Sequence, residues 1–436
     1  MTDTLTITPA SSGVRGEITL PGDKSISHRA VMFAAIAQGE SRLGNFSGGG
    51  DNRSTIHAFQ TLGVEIAQTG TEVLVKGRGW NGLRAPTATI DCGNSGTTMR
   101  LLSGLLAGRP FVSRLDGDAS LRSRPMGRVI APLREMGADI VSEGGGNRAP
   151  LRIQGKSLHG IAYRSPVASA QVKSALVLAG LQAHGRTRVW EPVRSRDHTE
   201  RMLPAFGGRL QVSGTEVTVE GGQELHACDV EVSGDLSSAA FFLGAALIVP
   251  GSELYVRSIG LNPTRTGILD IFQVMGGSIT TLNLREVCGE PVGDLLVRPS
   301  RLRGIEIDGE LVVRAIDEVP VIAIVAAFAR GTTVIRGAQE LRVKESDRIH
   351  ALATSLLALG ARVTELPDGL IIEGGKGLQG GRVQSFGDHR IAMALIVAGL
   401  AATGEIVLEG TECVDISFPG FYRLVRDLTG VTNSCE

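Results

Sequence analysis

Cysteine is scarce in this 436-residue sequence, and the few cysteines follow no pattern. They number five and include no CxxC pair, standing far apart at Cys92, Cys228, Cys288, Cys413 and Cys435. An odd and scattered set argues against a disulfide framework and against a zinc site. The distribution is typical of a protein that works in a reducing compartment.

Long apolar segments are missing as well. The longest uncharged apolar run, residues 239–250, falls well short of the roughly 20 residues that span a bilayer. The polar start, MTDTLTITPASSG, has neither the basic stretch nor the apolar block of a secretory signal. We therefore expect a cytoplasmic protein with no membrane partner.

Neither sign of charge is in excess. The chain has 44 Lys and Arg residues against 45 Asp and Glu residues, which gives a formal net charge of −1. Proteins that bind nucleic acid usually present a basic field, so no nucleic-acid partner is expected. Any anion site must be built locally from a few side chains.

What the sequence does contain is a globular composition arranged as a long repeat. Apolar residues make up 42% and charged residues 20%, and the length exceeds what one hydrophobic core usually supports. Six segments begin with polar residues and continue as apolar helices, near residues 27, 95, 169, 236, 319 and 390. Each is followed by a more amphipathic helix and by short alternating stretches that are typical of strands.

The repeat predicts a mixed α/β fold of two domains, each with three βαβαββ units. The period is too long for a solenoid, whose repeats are usually about 20 to 50 residues. We place the first domain at residues 21–234 and the second at residues 1–20 plus 235–436. The chain would then cross between the domains twice, and its N-terminal stretch would pair with the second domain.

The polar start of each apolar helix indicates an anion site. A helix that is apolar on all sides is buried, so its N-terminus offers unpaired N–H groups and partial positive charge to a phosphate or carboxylate. In PGDKSISHRA, residues 21–30, we expect Ser25 to cap the helix with Arg29 on its face, while Lys24 and His28 form the neighbouring pair. This motif predicts one wall of an anion pocket.

Other helix starts in the repeat carry similar side chains. They are residues 94–97, 169–171 and 388–390, with Asp317 ahead of the fifth apolar helix, residues 344–348 opening that unit's second helix, and Arg124 just before a proline that can begin a helix. If these ends converge, the available cations are Lys24, Arg29, Arg124, Lys344, Arg348 and Arg390. They come from both predicted domains, so we expect a site in the interdomain cleft that closure completes.

Each motif taken singly also has a structural explanation. Capping alone favours Ser, Asn and Gly at helix starts, and charged first turns occur on solvated helices. Joint placement at equivalent positions of a repeat is what favours a functional site.

Three short motifs resemble known binding signatures but fail to match them. Residues 77–82 match GxGxxG without a following helix, residues 22–25 do not fit a P-loop, and residues 198–200 lack the second half of a zinc deaminase motif.

With these residues in place, the sequence resembles the family of 5-enolpyruvylshikimate-3-phosphate synthases over essentially its whole length. Seven motifs occur in the family order: PGDKSISHRA, GNSGTTMRLL, SLRSRPMGR, SAQVKSA, AIDEVP, LRVKESDR and GDHRIAM. RDHTE at residues 196–200 and NPTR at residues 262–265 are similar to the second class of the family. The resemblance implies two inside-out α/β globes, a monomer, and neither a metal nor an organic cofactor.

The resemblance also implies a reaction in the route to chorismate and the aromatic amino acids. The 5-hydroxyl of shikimate 3-phosphate attacks phosphoenolpyruvate, and phosphate then leaves. The residues implied for shikimate 3-phosphate are Lys24, Ser25, Arg29, Ser169, Ala170, Gln171, Ser195, Arg196, Asp317 and Lys344. Those implied for phosphoenolpyruvate are Lys24, Gly96, Arg124, Gln171, Arg348 and Arg390.

Two proton movements are needed, one from the attacking hydroxyl and one onto the methylene carbon of phosphoenolpyruvate. On the resemblance, Asp317 is the expected base, Glu345 protonates the methylene and Lys24 assists the departing phosphate. The chain departs from many members at Asp415, which stands where they have a Lys shortly before the final Phe-Pro.

Two alternatives remain open. The sister family, which uses UDP-N-acetylglucosamine, has Lys-Asn at the first motif and a reactive Cys before the arginine. This chain instead has Lys24-Ser25 and no Cys in the loop before Arg124. A catalytically silent anion-binding homologue would not require Asp317 and Glu345.

Overall fold

The computed structural model describes residues 4–431 and the backbone of residues 434–435. Residues 1–3, 432–433 and 436, which the predicted second domain included, lie outside that description. The chain folds into two compact units. The amino-terminal unit is Gly22–Val232 with Glu286–Glu290, and the carboxy-terminal unit is Met1–Pro21, Ser233–Arg285 and Pro291–Glu436.

The observed divisions follow Pro21 and Val232, whereas the sequence places them after residues 20 and 234. Nothing in the sequence marks Glu286–Glu290 as part of the amino-terminal unit, since this segment joins two strands that lie mostly in the other unit.

The six apolar helices that the sequence predicts near residues 27, 95, 169, 236, 319 and 390 are present, among others. In the described residues the helices are α1 (Lys24–Ile36), α2 (Gly50–Thr61), α3 (Gly96–Leu106), α4 (Ala119–Ser123), α5 (Gly127–Glu135), α6 (Ala170–Gly180), α7 (His198–Met202), α8 (Leu236–Ile248), α9 (Gly267–Val274), α10 (Gly309–Arg314), α11 (Val319–Phe328), α12 (Arg348–Ala358), α13 (His389–Ala401), α14 (Cys413–Ser417) and α15 (Phe421–Thr429). Short 3-10 helices occupy Trp80–Gly82, Leu203–Phe206 and Gln339–Val343.

The strands are short and alternate with the helices. In the described residues they are β1 (Thr4–Ile7), β2 (Arg15–Thr19), β3 (Ala37–Gly44), β4 (Glu65–Thr69), β5 (Glu72–Arg78), β6 (Ile90–Asp91), β7 (Val112–Asp116), β8 (Asp139–Ser142), β9 (Leu151–Gln154), β10 (Ala162–Arg164), β11 (Arg186–Trp190), β12 (Leu210–Ser213), β13 (Glu216–Glu220), β14 (Leu225–His226), β15 (Val230–Glu231), β16 (Glu253–Gly260), β17 (Ser278–Val287), β18 (Glu290–Arg298), β19 (Glu306–Ile307), β20 (Thr332–Ile335), β21 (Arg362–Leu366), β22 (Gly369–Glu373), β23 (Gly381–Gln384), β24 (Ile406–Glu409) and β25 (Ser434–Cys435).

One strand order recurs in the six sheets of the described chain. In the sheet β6-β7-β9-β8, the first pair is parallel and the two following pairs are antiparallel. The amino-terminal unit repeats this order in β14-β3-β5-β4, where β15 also pairs with β3, and in β10-β11-β13-β12. The carboxy-terminal unit has β2-β16-β18-β17, β19-β20-β22-β21 and β23-β24-β1-β25. Each unit therefore contains three copies of one α/β repeat, as the sequence predicts.

Three sheets are completed by strands from distant parts of the chain. β1 pairs antiparallel with β24, with Leu5 opposite Leu408, and β2 pairs parallel with β16, with Ile18 opposite Val256. β14 and β15 both pair parallel with β3. The N-terminal stretch thus belongs to sheets of the carboxy-terminal unit.

Apolar helices form the interior of each unit. In α1 all residues from Ile26 to Ile36 are buried, and α3 packs against both α1 and α6. In the carboxy-terminal unit α8, α11 and α13 pack against one another. The surrounding sheets turn one face inward, as the alternation of exposed and buried residues along β5 illustrates. Within the described chain, none of these helices combines the length and the apolar character needed to cross a membrane.

The start of α1 corrects one prediction. Asp23, and not Ser25, caps the helix, because its Oδ1 accepts a hydrogen bond from the Ile26 amide at 2.9 Å. Asp23 directly precedes the first helical residue, where a carboxylate reaches an unpaired N–H and is favoured by the helix dipole.

Two other helix starts lie later than expected. α12 begins at Arg348 and is capped by Asp347, so Lys344 and Glu345 precede the helix instead of opening it. α5 begins at Gly127 and not at the proline after Arg124. Lys344, Glu345 and Arg124 therefore precede these two helices and lie on the segments that lead into them.

Candidate active site

Arg29 is a buried cation on α1. Its side chain donates hydrogen bonds to Thr199 Oγ1 at 2.7 Å, Ser174 Oγ at 2.8 Å and the Ser25 carbonyl at 3.0 Å. These three partners are neutral. Burial lowers the pKa of Arg29 to about 10, although the charges of Glu200 and Asp23 act in the opposite direction. A buried guanidinium held by neutral groups favours the arrival of an anion.

Lys24 and His28 do not form the pair that the sequence predicts. Lys24 lies in the first turn of α1, about a quarter exposed, and is paired with Asp51 of α2. His28 is fully buried, and its Nδ1 is hydrogen-bonded to Thr55 Oγ1 at 2.6 Å. The i,i+4 spacing is correct, but one member of the pair points into the core because the helix is apolar on that side.

Gly96 and Gln171 are brought together at the starts of α3 and α6. Gln171 Oε1 accepts from Arg100 Nη1 at 2.6 Å, and its Nε2 donates to Thr97 Oγ1 at 2.9 Å. A β-carbon added at Gly96 would lie 2.7 Å from Arg100 Nη1 and 3.6 Å from Arg124 Nη1. The bare backbone at Gly96 therefore faces two guanidinium groups.

Arg100 is a residue that the sequence analysis missed. It stands within the motif GNSGTTMRLL, four positions after Gly96, which is the spacing that places two helical residues on one face. That spacing, combined with the only charge in the apolar helix, is the signal that could have identified it.

Serine caps precede both helices as predicted. Ser95 accepts from the Thr98 amide at the start of α3, and Ser169 accepts from the Val172 amide at the start of α6. Ala170 is the first residue of α6. These caps fix the helix ends at which Gly96 and Gln171 stand.

A buried charge cluster, Glu191–Lys173–Glu200, lies beside α6. Lys173 Nζ is 2.8 Å from Glu191 Oε2 and 2.8 Å from Glu200 Oε1, and the side chains are 1%, 1% and 4% exposed. Burial opposes the charge of Lys173, but Glu200 and Glu191 raise its pKa. Glu191 also accepts from the Ser169 amide at 2.8 Å and from Ser195 Oγ at 2.6 Å. The cluster thus holds two of the predicted substrate residues in place.

The buried guanidinium of Arg348, in the carboxy-terminal unit, contacts three carboxylates. Its Nε donates to Asp388 Oδ2 at 2.7 Å and its Nη2 to Glu345 Oε2 at 2.7 Å, while its Nη1 lies 3.5 Å from Asp317 Oδ1. Burial opposes ionisation, but Asp388 and Glu345 raise the pKa of Arg348. The expected base and the expected proton donor therefore share one cation.

Asp388 was missed as an anchor of this site. Burial favours its neutral form, yet the charge of Arg348 lowers its pKa overall. Its Oδ1 also accepts from the Arg390 amide at 2.9 Å, which caps α13. One carboxylate therefore positions two of the predicted cations, Arg348 and Arg390.

Lys344 and Arg390 complete the group around Asp317. Lys344 Nζ lies 3.4 Å from Asp317 Oδ1, and Arg390 Nη1 donates to the Asp317 carbonyl at 3.0 Å. Arg390 also lies 3.9 Å from the buried Glu318 Oε1. The predicted residues that this unit brings together are Asp317, Lys344, Glu345, Arg348 and Arg390.

The described residues contain no group of three or more His, Cys, Asp or Glu side chains placed to hold a metal ion. The described residues instead place cations at helix starts, where phosphate and carboxylate ligands are favoured.

A hydrogen-bonded chain through His28 leads to a pH prediction. His28 bonds to Thr55, Thr55 bonds to Thr98 at 2.6 Å, and Thr98 donates to Ser95 Oγ at 2.8 Å. Burial lowers the pKa of His28 from 6.5 to about 3. Between these values the unfolded chain binds a proton that the folded chain does not, so stability falls as pH drops from about 6.5 towards 3, by about 1.4 kcal/mol per unit.

Urea unfolding at several pH values between 7 and 4 tests this for the wild type and for His28→Gln. The variant should lose less stability per pH unit, although it starts from a lower value. Identical pH dependence in both proteins would show that His28 does not resist protonation in the fold.

The comparisons with known proteins identify the family. Residues 9–424 match the family model for EPSP synthase (3-phosphoshikimate 1-carboxyvinyltransferase). The chain is 58% identical over 421 residues to the 3-phosphoshikimate 1-carboxyvinyltransferase of Geobacter metallireducens, covering 97% of this chain and 98% of the relative. Its identity to the protein of the same name from Brevibacillus brevis is 54%, over 94% of this chain and 97% of that one.

A solved structure gives the same result for the fold. EPSP synthase from Acinetobacter baumannii is 44% identical, with a TM-score of 0.90 over 99% of this chain and 100% of that one. The predicted α/β class is thereby confirmed. Because the family model and these relatives cover nearly the whole sequence, the chain belongs to the EPSP synthase family.

Proposed function

We propose that this chain transfers the carboxyvinyl group of phosphoenolpyruvate to the 5-hydroxyl of shikimate 3-phosphate and releases phosphate. The observation that carries the proposal is that relatives above half identity, matched over almost their entire length, bear the name 3-phosphoshikimate 1-carboxyvinyltransferase. The charged helix starts supply what two phosphorylated, carboxylated substrates require. The alternative acceptor, UDP-N-acetylglucosamine, has no comparable support.

In the amino-terminal unit the assignments are those that the family resemblance implies. For shikimate 3-phosphate we assign Lys24, Ser25, Arg29, Ser169, Ala170, Gln171, Ser195 and Arg196. Arg29 is the strongest of these, since it is buried and its three hydrogen-bond partners are neutral. The Ser195 hydroxyl donates its hydrogen bond to Glu191, so it is available to accept a hydrogen bond from the substrate but not to donate one to a phosphate.

For phosphoenolpyruvate the assigned residues are Lys24, Gly96, Arg124, Gln171, Arg348 and Arg390. Arg124 and Arg100 lie beside the bare backbone of Gly96, where a planar carboxylate can meet a guanidinium fork. We add Arg100 to the set on the basis of its contact with Gln171.

The chemistry proceeds by addition and elimination. The acceptor oxygen bonds to the central carbon of phosphoenolpyruvate while the methylene gains a proton, and loss of phosphate and of one methyl proton restores the double bond. Asp317 is the proposed base for the hydroxyl, and the cations of Lys344 and Arg348 lie 3.4 and 3.5 Å from its Oδ1. Glu345 is the proposed donor to the methylene, and Lys24 assists the leaving phosphate. Asp317 and Lys344 also contact shikimate 3-phosphate.

Replacing Gly96 with alanine should weaken phosphoenolpyruvate binding. The new methyl group would lie 2.7 Å from Arg100 Nη1 and force this flexible guanidinium away from Gln171. We expect KM for phosphoenolpyruvate to rise about tenfold, or ~1.4 kcal/mol, while KM for shikimate 3-phosphate changes little. Steady-state kinetics checks this, with thermal unfolding as the control for folding. Equal increases in both KM values would contradict the assignment.

The acceptor test decides the function. Purified protein is given phosphoenolpyruvate with either shikimate 3-phosphate or UDP-N-acetylglucosamine, and phosphate release is measured. Release with shikimate 3-phosphate alone supports the proposal. Release with the sugar nucleotide alone assigns the chain to the sister reaction, and release with neither acceptor favours a silent anion-binding homologue.

We further propose that the enzyme works as a monomer in the cytoplasm, without nucleic-acid or membrane partners. The balanced charge and the lack of a long apolar segment support this proposal. Sedimentation at several protein concentrations tests it, since a concentration-dependent mass would show self-association.

A further inference from the structure

Two cysteines far apart in the sequence lie next to each other in the amino-terminal unit. The thiols of Cys228 and Cys288 both donate to the same acceptor, the Asp229 carbonyl oxygen, at 3.3 and 3.7 Å. Each is partly exposed, whereas Cys92 and Cys413 are buried. The pair is thus accessible to small molecules and has no part in the proposed reaction.

The two cysteines differ in how their backbone is held. The Cys228 amide donates to Ser41 Oγ at 3.1 Å, and Asp229 accepts from the Arg42 amide at 2.8 Å, so this segment is fastened to β3. Cys288 lies in the turn between β17 and β18, with a left-handed φ of 48°. A bond between the sulfurs would therefore join the turn to a fixed segment.

The turn that carries Cys288 also holds α7. Glu290 Oε1 is 2.8 Å from His198 Nδ1, and the Gly289 carbonyl accepts from Arg201 at 3.0 Å. α7 in turn supplies Thr199, which accepts from Arg29. The turn of the dithiol is thus two contacts away from Arg29, the buried cation assigned to shikimate 3-phosphate.

We propose that Cys228 and Cys288 form a redox-active dithiol, which a small-molecule disulfide converts to an internal disulfide that fixes the turn at residues 286–290. One thiolate attacks the small disulfide, whose S–S bond breaks, and a mixed disulfide forms with release of one small thiol. The second cysteine then attacks the mixed disulfide, closes the internal bond and releases a second small thiol. The cysteine sulfurs are oxidised, the small disulfide is reduced, and the two cysteine protons end on the released thiols.

The surroundings make this exchange slow at neutral pH. Burial raises the pKa of both thiols. The charge of Asp229 acts in the same direction on Cys228, and that of Cys228 on Cys288, whereas a hydrogen bond with the Glu231 backbone lowers the pKa of Cys288. Only the thiolate reacts, so exchange should accelerate as pH rises.

The test uses the full chain with Cys435, whose side chain lies outside the described residues, replaced by serine. Reduced protein is incubated with oxidised glutathione at pH 8.5, then denatured for thiol titration, intact mass and peptide mapping. We expect a loss of two thiols, a mass lower by two hydrogens, and a linked peptide pair containing Cys228 and Cys288. Cys228→Ser and Cys288→Ser should instead stop at a mixed disulfide, which raises the mass by one glutathionyl group.

Persistent mixed disulfides in the protein with both cysteines would overturn the proposal, because they would show that the second thiol cannot reach the first. Amide hydrogen exchange tests the consequence for the turn. Exchange within residues 286–290 should slow on oxidation and recover on reduction, whereas unchanged exchange would show that the bond does not fix the turn. Neither readout depends on enzyme activity, so the outcome is independent of the function proposed above.

Discussion

Asp317→Asn is expected to lower kcat by about a thousandfold, within the range that general-base catalysis contributes. The asparagine keeps the shape of the side chain but cannot accept the proton of the attacking hydroxyl. Lys344 and Arg348, which lie 3.4 and 3.5 Å from Asp317 Oδ1, would lose an acidic partner, but Arg348 would remain in place through Asp388 and Glu345. Binding of shikimate 3-phosphate should therefore be weaker but measurable.

The measurement is steady-state kinetics with both substrates across pH, with Asp427→Asn as the matched control. Asp427 is exposed on α15 and contacts none of the assigned residues in the described structure, so its replacement should leave kcat unchanged. If Asp317 is the base, the fall of kcat/KM on the acid side disappears in Asp317→Asn and persists in Glu345→Gln. Turnover of Asp317→Asn near that of the control would place the base elsewhere.

Two periodicities in the sequence predict the fold, one within single helices and one between whole repeat units. Helical periodicity identified the six apolar helices, and the recurrence of the whole unit predicted the three-fold repeat in each domain. The pairing of β1 with β24 and of β14 with β3 could not be read in the same way, because strand register between remote segments has no local signal. The same limit applies to Glu286–Glu290, which a hairpin of one unit contributes to the other.

The candidate site was predictable where a charge stands at a helix start, as for Lys24, Arg390 and Asp317. It was not predictable where the function of a side chain depends on a partner in another repeat. Lys173 lies in the first turn of an apolar helix, and only the fold reveals that Glu191 and Glu200 surround it. Arg348 was predicted to bind phosphoenolpyruvate, but only the structure shows that it donates hydrogen bonds to Asp388 and Glu345.

Lys173→Met should destabilise the protein by about 3–5 kcal/mol, which is the usual cost of leaving buried charges unpaired. The substitution keeps most of the side-chain volume and removes the ammonium group that lies between Glu191 and Glu200. The two carboxylates would then face each other in a site from which water is largely excluded. Because Glu191 holds the Ser169 amide and Ser195, KM for shikimate 3-phosphate should also rise.

An exposed ion pair of the same unit provides the matched control. Lys156 Nζ is 3.0 Å from Asp139, but the two side chains are 54% and 37% exposed, so Lys156→Met should cost less than about 1 kcal/mol. Urea unfolding of both variants gives the difference. The triple variant Lys173→Met, Glu191→Gln, Glu200→Gln removes the uncompensated charges and should regain part of the lost stability. Equal losses in Lys173→Met and Lys156→Met would mean that solvent reaches the cluster and that Lys173 does not organise the start of α6.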